Sequence, residues 1–289
     1  MTDSTSIVYL NGRFVSEADA HLSTLDRGFT LADGIFETLV ASGDRMFRLE
    51  DHLSRLRRGA DVLHLLLPPA EELLDVLSET LRRNGHPHSV IRLTVTRGVD
   101  PGRGLDMTPG IEPSVVVRVA PWHGPLISLP EGRHLVLSHM RRNDQSPLAV
   151  IKSLAYVESV VARLEARRTG ADDAMLCNTR GVLTGATSSN VFAVMDGGLV
   201  TPSEADGILP GIARRTVLEE SDRLGIFTEA RSISPEEIAV ADEVFLTNVV
   251  TGIVPVVSIS GNPVGKGMSG TVTEQLAKEY WDRVRAELS

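Results

Sequence analysis

The chain has 289 residues, of which 42% are hydrophobic and 23% charged, with a formal net charge of −9. That length suits two ordinary domains or one large one, and the composition can bury a sizeable core. The acidic balance, without a long basic block, argues against a nucleic-acid or anionic-membrane surface; the single cysteine, Cys177, excludes an internal disulfide framework and suits a reducing cytoplasm.

The start, "MTDSTSIVYL", lacks the basic residues and apolar run of a signal peptide. "SIVYLNGRFV" predicts a strand, an Asn-Gly turn and a second strand, and "GIFETLVAS" a third. Leu49, Leu53, Leu56, Val62 and Leu63 recur at helical spacing, so "RLEDHLSRLRRGADVLHLL" reads as a helix. A second helix runs from Pro69 to Gly85, and the strands "VIRLTVTRG" and "PSVVVRVAP" complete a mixed α+β unit over 1–120. The Pro/Gly content of "PWHGPL" marks a linker, set at 121–128, and a larger domain follows over 129–289. There "HLVLSHM" is a strand, and the run around Lys152 reads as a helix. "DDAMLCNTRGVLTG" and "NVFAVMDGGLVTP" give strand-turn-strand, with Cys177 as a buried structural thiol. "PGIARRTVLEESDRLG" is a helix with proline at its start and glycine at its end, "EVFLTNVV" and "IVPVVSI" are strands, and "TVTEQLAKEYWDRVRAEL" is a terminal helix. Gly252 and Pro255 interrupt the longest apolar region, so it is no membrane span.

Several chemical motifs fall away. His86 and His88 in "GHPHS" lack a third ligand nearby and read as surface residues. "GVDPGRG" has no lysine and no Ser/Thr for a Walker-type loop, and no nucleophile elbow is present. Two features remain. The helix in "ILPGIARR" opens straight after Pro-Gly, leaving backbone N–H groups for an anion. Among 29 basic residues only Lys152, Lys266 and Lys278 are lysines, and Lys152 alone lies in an apolar run, "LAVIKSLAYV". An amine there can act as a neutral nucleophile for Schiff-base chemistry, which an always-charged arginine cannot. A reactive amine plus an anion cup is what pyridoxal phosphate requires.

These residues lie within a longer set of motifs. "YLNGRFV", "DRGFTLADGIFETL", "RLEDHLSRL", "VIKSLAYVE", "SSNVFAV", "LPGIARRTVL" and "ADEVFLTNVVTGIVPV", in that order, resemble the fold-type IV pyridoxal-phosphate enzymes. These are the branched-chain and D-amino-acid aminotransferases and the 4-amino-4-deoxychorismate lyases. The resemblance implies the two-domain α+β fold of that family, pyridoxal 5′-phosphate held between the domains, and a homodimer. It implies Lys152 as the Schiff-base lysine and Arg55 as a phosphate-binding arginine. Ile212 and Ala213 match the backbone phosphate cup, and Asn248 and Val249 a second loop at the phosphate. Arg92 and Arg103 match groups for a substrate carboxylate.

Thr38 in "FET", the stretch holding Arg103 and the Thr-Asn of "FLTNVV" are similar to the lyases. They put 4-amino-4-deoxychorismate lyase first, forming 4-aminobenzoate and pyruvate for folate synthesis, with Thr38 as proton relay. The alternative is an aminotransferase of D-amino acids, branched-chain amino acids or amines, which Arg92 favours. Two departures stand out. Ala155 replaces an asparagine, and Gly185 stands where the family has a glutamate against the cofactor's ring nitrogen. From Gly185 come three expectations: Thr184, Ser188 or a water stands in; the ring nitrogen stays neutral; or the chain is a non-catalytic or atypical member. Restoring the side chain with Gly185→Glu discriminates among them: a large gain in turnover would show that the missing carboxylate limits the native site.

Overall fold

The computed structural model describes residues 6–125 and 129–289. Residues 1–5 of the start searched for a leader, and 126–128 of the expected linker, lie outside the described residues. The chain divides into two compact units. The first runs to Gly124 and takes in Ile151–Ala155 and Ala286–Ser289; the second comprises Pro125–Val150 and Tyr156–Arg285. The short segment bearing Lys152 therefore groups with the N-terminal unit, where the sequence reading had placed it in the C-terminal domain.

In the first unit the elements follow as β1 (Ile7–Leu10), β2 (Arg13–Ser16), α1 (Arg27–Leu31), β3 (Gly34–Ser42), β4 (Arg45–Met46), α2 (Leu49–Leu63), α3 (Ala70–Asn84), β5 (His88–Thr96) and β6 (Ser114–Pro121). The strands form an antiparallel sheet in the order β2-β1-β6-β5-β3-β4. Alternation assigns the faces. Ile35, Leu39 and Ala41 of β3 join Ile91, Leu93 and Val95 of β5 in one core with Leu53 and Leu56 of α2 and Leu73 and Leu77 of α3. Phe36, Thr38 and Val40 take the opposite face. Leu77 is fully buried, so truncation to alanine would cost about 2–5 kcal/mol.

The second unit contains β7 (Arg133–Arg142), α4 (Val157–Arg168), β8 (Asp173–Asn178), β9 (Leu183–Ala186), β10 (Asn190–Met195), β11 (Gly198–Thr201), α5 (Ile212–Arg223), β12 (Thr228–Ala230), α6 (Pro235–Ala239), β13 (Glu243–Asn248), β14 (Gly252–Ile259) and β15 (Asn262–Pro263). Helix α7 (Thr271–Leu288) follows, and its last residues join the first unit. The sheet order is β12-β11-β10-β13-β14-β7-β8-β9, with β15 on β14. On one face Ala162 and Ala166 of α4 cover Ala174 and Leu176. On the other, Met175, Cys177, Leu183, Val191, Val244 and Leu246 share a core. Cys177 is wholly buried and burial pushes its thiol up, so it behaves as a small apolar residue. Among the described residues no helix is long and apolar enough to cross a membrane.

The apolar run around Lys152 is not one helix: Leu148–Val150 end a short 3-10 turn that starts at Pro147, and residues 151–156 are non-helical. Lys152 O accepts from Phe36 N at 2.9 Å, Leu154 N donates to Gly34 O at 3.0 Å, and Ser153 bridges Ile35. The segment thus adds to the free edge at the start of β3, and α4 begins only at Val157. Of its apolar residues Ile151 is buried, whereas Leu148, Val150 and Val157 are exposed. Short apolar runs do not separate strand from helix by spacing.

Candidate active site

Antiparallel pairing through Ile35 and Ser153 sets Lys152 directly across from Phe36, on the sheet face away from α2. Its Nζ lies 4.3 Å from the centroid of the Phe36 ring. Arg92, paired with Thr38 across β5, puts its guanidinium carbon 3.7 Å from the same centroid. One aromatic ring therefore carries two cations, each attracted to its π-face, with Thr38 half-buried next along the face. Three of the residues singled out from the sequence, Lys152, Thr38 and Arg92, come together here. Arg103 does not join them; it is exposed in the loop leaving β5.

Arg55 belongs to the other face of β3. Its Nε and Nη2 donate to the two oxygens of Glu37, at 2.8 and 2.6 Å, and His52 Nδ1 lies 2.7 Å from Oε2. All three side chains are buried. Burial alone would raise the Glu37 carboxyl, but the charge and hydrogen bonds of Arg55, with the bond from His52, hold it down at about 2. Burial likewise lowers His52, against the pull of Glu37, so the neutral ring donates from Nδ1. Its Nε2 is then a buried acceptor with no partner among the described residues. The sequence reading missed Glu37 and His52. The available signal was a carboxylate at an odd, core-facing position of β3, one helix away from "HLSRL".

In the second unit α5 opens at Gly211, where a Cβ would collide with Asn190 Oδ1. The amides of Ile212 and Ala213 precede the first intrahelical bond, from Arg215 N to Gly211 O at 2.9 Å, so they face outward from the helix start. Asn190 Nδ2 holds Leu209 O at 3.0 Å. Beside it, Ser189 Oγ accepts from Asn248 Nδ2 at 3.2 Å. Asn248 Oδ1 in turn accepts from Val250 N and Thr251 N, at 3.0 and 2.9 Å, which shapes the turn containing Val249. The adjacent residues Ser189 and Asn190 thus bond, respectively, to the Asn248 turn and to the loop that leads into Ile212 and Ala213. Neither was foreseen as a site residue.

Gly185 sits on β9 opposite Leu176, beside a register irregularity between Leu176 and Cys177. Its φ is +141°, and a Cβ there would lie 2.5 Å from Ser189 O. The backbone has adopted a path that L side chains rarely follow, so this is not a glutamate site with its side chain trimmed. With that geometry Gly185→Glu would strain the backbone as well as add a carboxylate. Thr184 Oγ1 donates to Leu176 O at 3.1 Å and Ser188 is exposed. Arg142, also missed from sequence, donates Nη2 to Ala186 O at 3.1 Å. Burial lowers it from the usual arginine range, against Tyr156, Glu158 and Asp173.

Each unit, taken by itself, holds one kind of group that pyridoxal phosphate requires, an amine in the first and an anion cup in the second. Lys152 is the required amine. The start of α5 offers backbone donors for an anion, and near it Thr247 Oγ1 and Thr251 Oγ1 are buried without partners among the described residues.

Residues 34–259 match the family model described as amino-transferase class IV. The chain is 35% identical over 276 residues to a Methanocaldococcus jannaschii protein provisionally assigned as a branched-chain-amino-acid aminotransferase, covering 95% of each. It is 32% identical to a D-alanine aminotransferase of Staphylococcus haemolyticus, over 94% of this chain and 96% of that one. Among solved structures, it superposes on the branched-chain aminotransferase of Thermoproteus uzoniensis with norvaline at a TM-score of 0.88, with 33% identity, covering 98% of this chain and 94% of the other. A second, a T.th. branched-chain amino acid aminotransferase with pyridoxamine 5′-phosphate, gives 0.89 at 29% identity, over 96% and 93%.

Proposed function

Because the chain belongs to the class IV aminotransferase family, we propose that it is a pyridoxal-phosphate-dependent aminotransferase of amino acids, with branched-chain and D-amino acids the first classes to test. The observation that carries the reading is the placement of Lys152 opposite Phe36, on one sheet face with Thr38 and Arg92. When bound, the cofactor supplies an aldehyde for amines and a ring that spreads the charge left by a departing proton.

This chain's own residues hold and orient. Lys152 Nζ anchors the cofactor and, once released, accepts and returns a proton as a general base. The amides of Ile212 and Ala213, with the Asn248–Val249 turn, bind the phosphate, and Arg55 adds a fixed positive charge restrained by Glu37. Arg92 is the first candidate for a substrate carboxylate on the Lys152 face.

Sequence motifs alone put 4-amino-4-deoxychorismate lyase first, but the aminotransferase relatives move transamination ahead of it. The lyase keeps one supporting observation, Thr38 on the Lys152 face, where a hydroxyl can relay a proton. Assays should therefore offer L- and D-amino acids with a 2-oxo-acid acceptor, and aminodeoxychorismate separately. New 2-oxo acid from an amino acid, abolished by Lys152→Ala, supports transamination. Pyruvate and 4-aminobenzoate from aminodeoxychorismate, with no amino-acid turnover, would replace it with the lyase. Neither activity in cofactor-loaded protein would leave the non-catalytic reading suggested by Gly185.

A second copy is the expected partner. Helix α4 exposes Val157, Val160 and Leu164, at 73%, 53% and 53%, along one face. Light scattering should give twice the chain mass. The single buried thiol suits a reducing cytoplasm.

A further inference from the structure

Within the first unit, α2, the connection that follows it and the start of α3 enclose a cavity of about 310 Å³. Leu56, Ala60, Leu65 and Leu73, all buried, line its apolar floor. That volume lies at the lower end of small-molecule clefts, roughly 300–1,000 Å³, and suits a ligand of few heavy atoms. The leucine-rich connection is fixed at both ends. His64, left-handed at φ 48°, ends α2 by donating its N–H to Ala60 O and Asp61 O. Arg97, just past β5, holds Leu63 O at 2.7 Å and His64 O at 2.9 Å. Downstream, Pro68 and Pro69 line the cavity with φ angles set by their rings, and Leu73 N returns to Pro69 O at 3.1 Å. The connection is therefore held off α2 by its own backbone, and the cleft between them stays open.

Two opposite charges line the same cavity, Arg57 and Asp61. They are four apart on α2, so they are neighbours on one helix face, with Cβ atoms about 5–6 Å apart. Both are exposed, and neither side chain makes an ion pair or hydrogen bond among the described residues. Leu66, 71% exposed, lines the cavity from the solvent side. A cation and an anion side by side at an apolar cleft match one class of molecule, a zwitterion with an aliphatic side chain. Its carboxylate can accept two N–H bonds from a guanidinium, and its ammonium can donate to a carboxylate.

We propose that this cavity is a second binding site, for a hydrophobic α-amino acid, with Arg57 on the carboxylate, Asp61 on the ammonium and the leucines around the side chain. It is separate from the Lys152 site. Lys152 stands on the sheet face away from α2, whereas the cavity is built on α2 and on the core of the opposite face. Binding here does not depend on the aminotransferase reading above.

The test uses full-length, cofactor-loaded protein after borohydride reduction, so that added amino acid cannot exchange with Lys152. If the chain takes no cofactor, the same titration runs on the protein as purified, and the site is decided separately from the aminotransferase reading. Calorimetric titration with leucine, each enantiomer in turn, should show saturable binding of one molecule per chain by at least one of them. Amide hydrogen exchange over residues 60–73 should slow when it is bound. 4-Methylpentanoic acid, which lacks the amine, 3-methylbutylamine, which lacks the carboxylate, and glycine, which lacks the side chain, should each bind about tenfold more weakly or worse. Arg57→Gln and Asp61→Asn, which alter exposed side chains and should melt with the wild type, should each weaken leucine by a similar factor. Leucine binding untouched by both substitutions, or slowed exchange confined to other segments, would place the ligand elsewhere and overturn the assignment. Equal binding of 4-methylpentanoic acid would remove Asp61 from the site and overturn the amino-acid class. No saturable binding at millimolar leucine would leave the cavity a gap between helices, and the proposal falls.

Discussion

Replacing Gly185 by alanine or glutamate should destabilise the second unit without raising turnover. At φ +141° an L residue is strained by about 1–3 kcal/mol. The new Cβ also starts 2.5 Å from Ser189 O, closer than real Cβ atoms approach a backbone oxygen. Ser189 cannot simply yield, because its carbonyl accepts from Ala186 N at 2.9 Å, and losing that bond adds about 1 kcal/mol. The sum is about 2–4 kcal/mol, equivalent to a thermal midpoint lower by roughly 5–15 °C in a unit of this size. Because Ser189 also holds Asn248, and Asn190 packs on Gly211, the displacement should reach the anion cup and weaken cofactor affinity. Differential scanning fluorimetry gives the first quantity and titration of apoprotein with pyridoxal phosphate the second. The reasoning is refuted if Gly185→Glu melts with the wild type and its turnover rises tenfold, since the position would then be an ordinary side-chain site.

Other outcomes follow from the same geometry. Glu37→Gln leaves the buried Arg55 charge without its carboxylate and should cost about 3–5 kcal/mol in urea denaturation. Acid should act on the same cluster. Glu37 is lowered from 4.5 to about 2, so its stabilisation is complete above 4.5 and is lost as pH falls toward 2; it is worth roughly 3 kcal/mol. His52 is also lowered, so its neutral form favours the fold above its ordinary value of 6.5, and stability starts to decline below that pH. Urea midpoints flat from pH 7 to 3 would contradict both. Gly211→Ala should lower phosphate and cofactor affinity at least tenfold, because the Cβ displaces Asn190 at the start of α5; an unchanged dissociation constant would remove α5 from the site.

Much of the fold was legible in the sequence because its long elements announce themselves locally. Helix α3 starts after Pro69 and ends at Gly85, and β3 occupies the stretch read as "GIFETLVAS". The segment holding Lys152 was misread for a physical reason. Its extended form comes from pairing with Gly34–Phe36, a partner more than a hundred residues away, and its apolar residues divide between core and solvent. Residue types and motifs made the family legible, and the comparison with known proteins agrees on the family. The geometry of the candidate site was not legible. Nothing local ties Glu37 to Arg55, and the positive φ of Gly185 turns an apparent lost side chain into an altered backbone path.

The most direct measurement is a single-turnover assay. Cofactor-loaded protein, without any 2-oxo-acid acceptor, is mixed with excess branched-chain or D-amino acid, and the released 2-oxo acid is counted. The account predicts close to one equivalent per chain, none from Lys152→Ala, and further release only when an acceptor is added. No stoichiometric release from any amino acid, by protein whose cofactor borohydride fixes to Lys152, would contradict it.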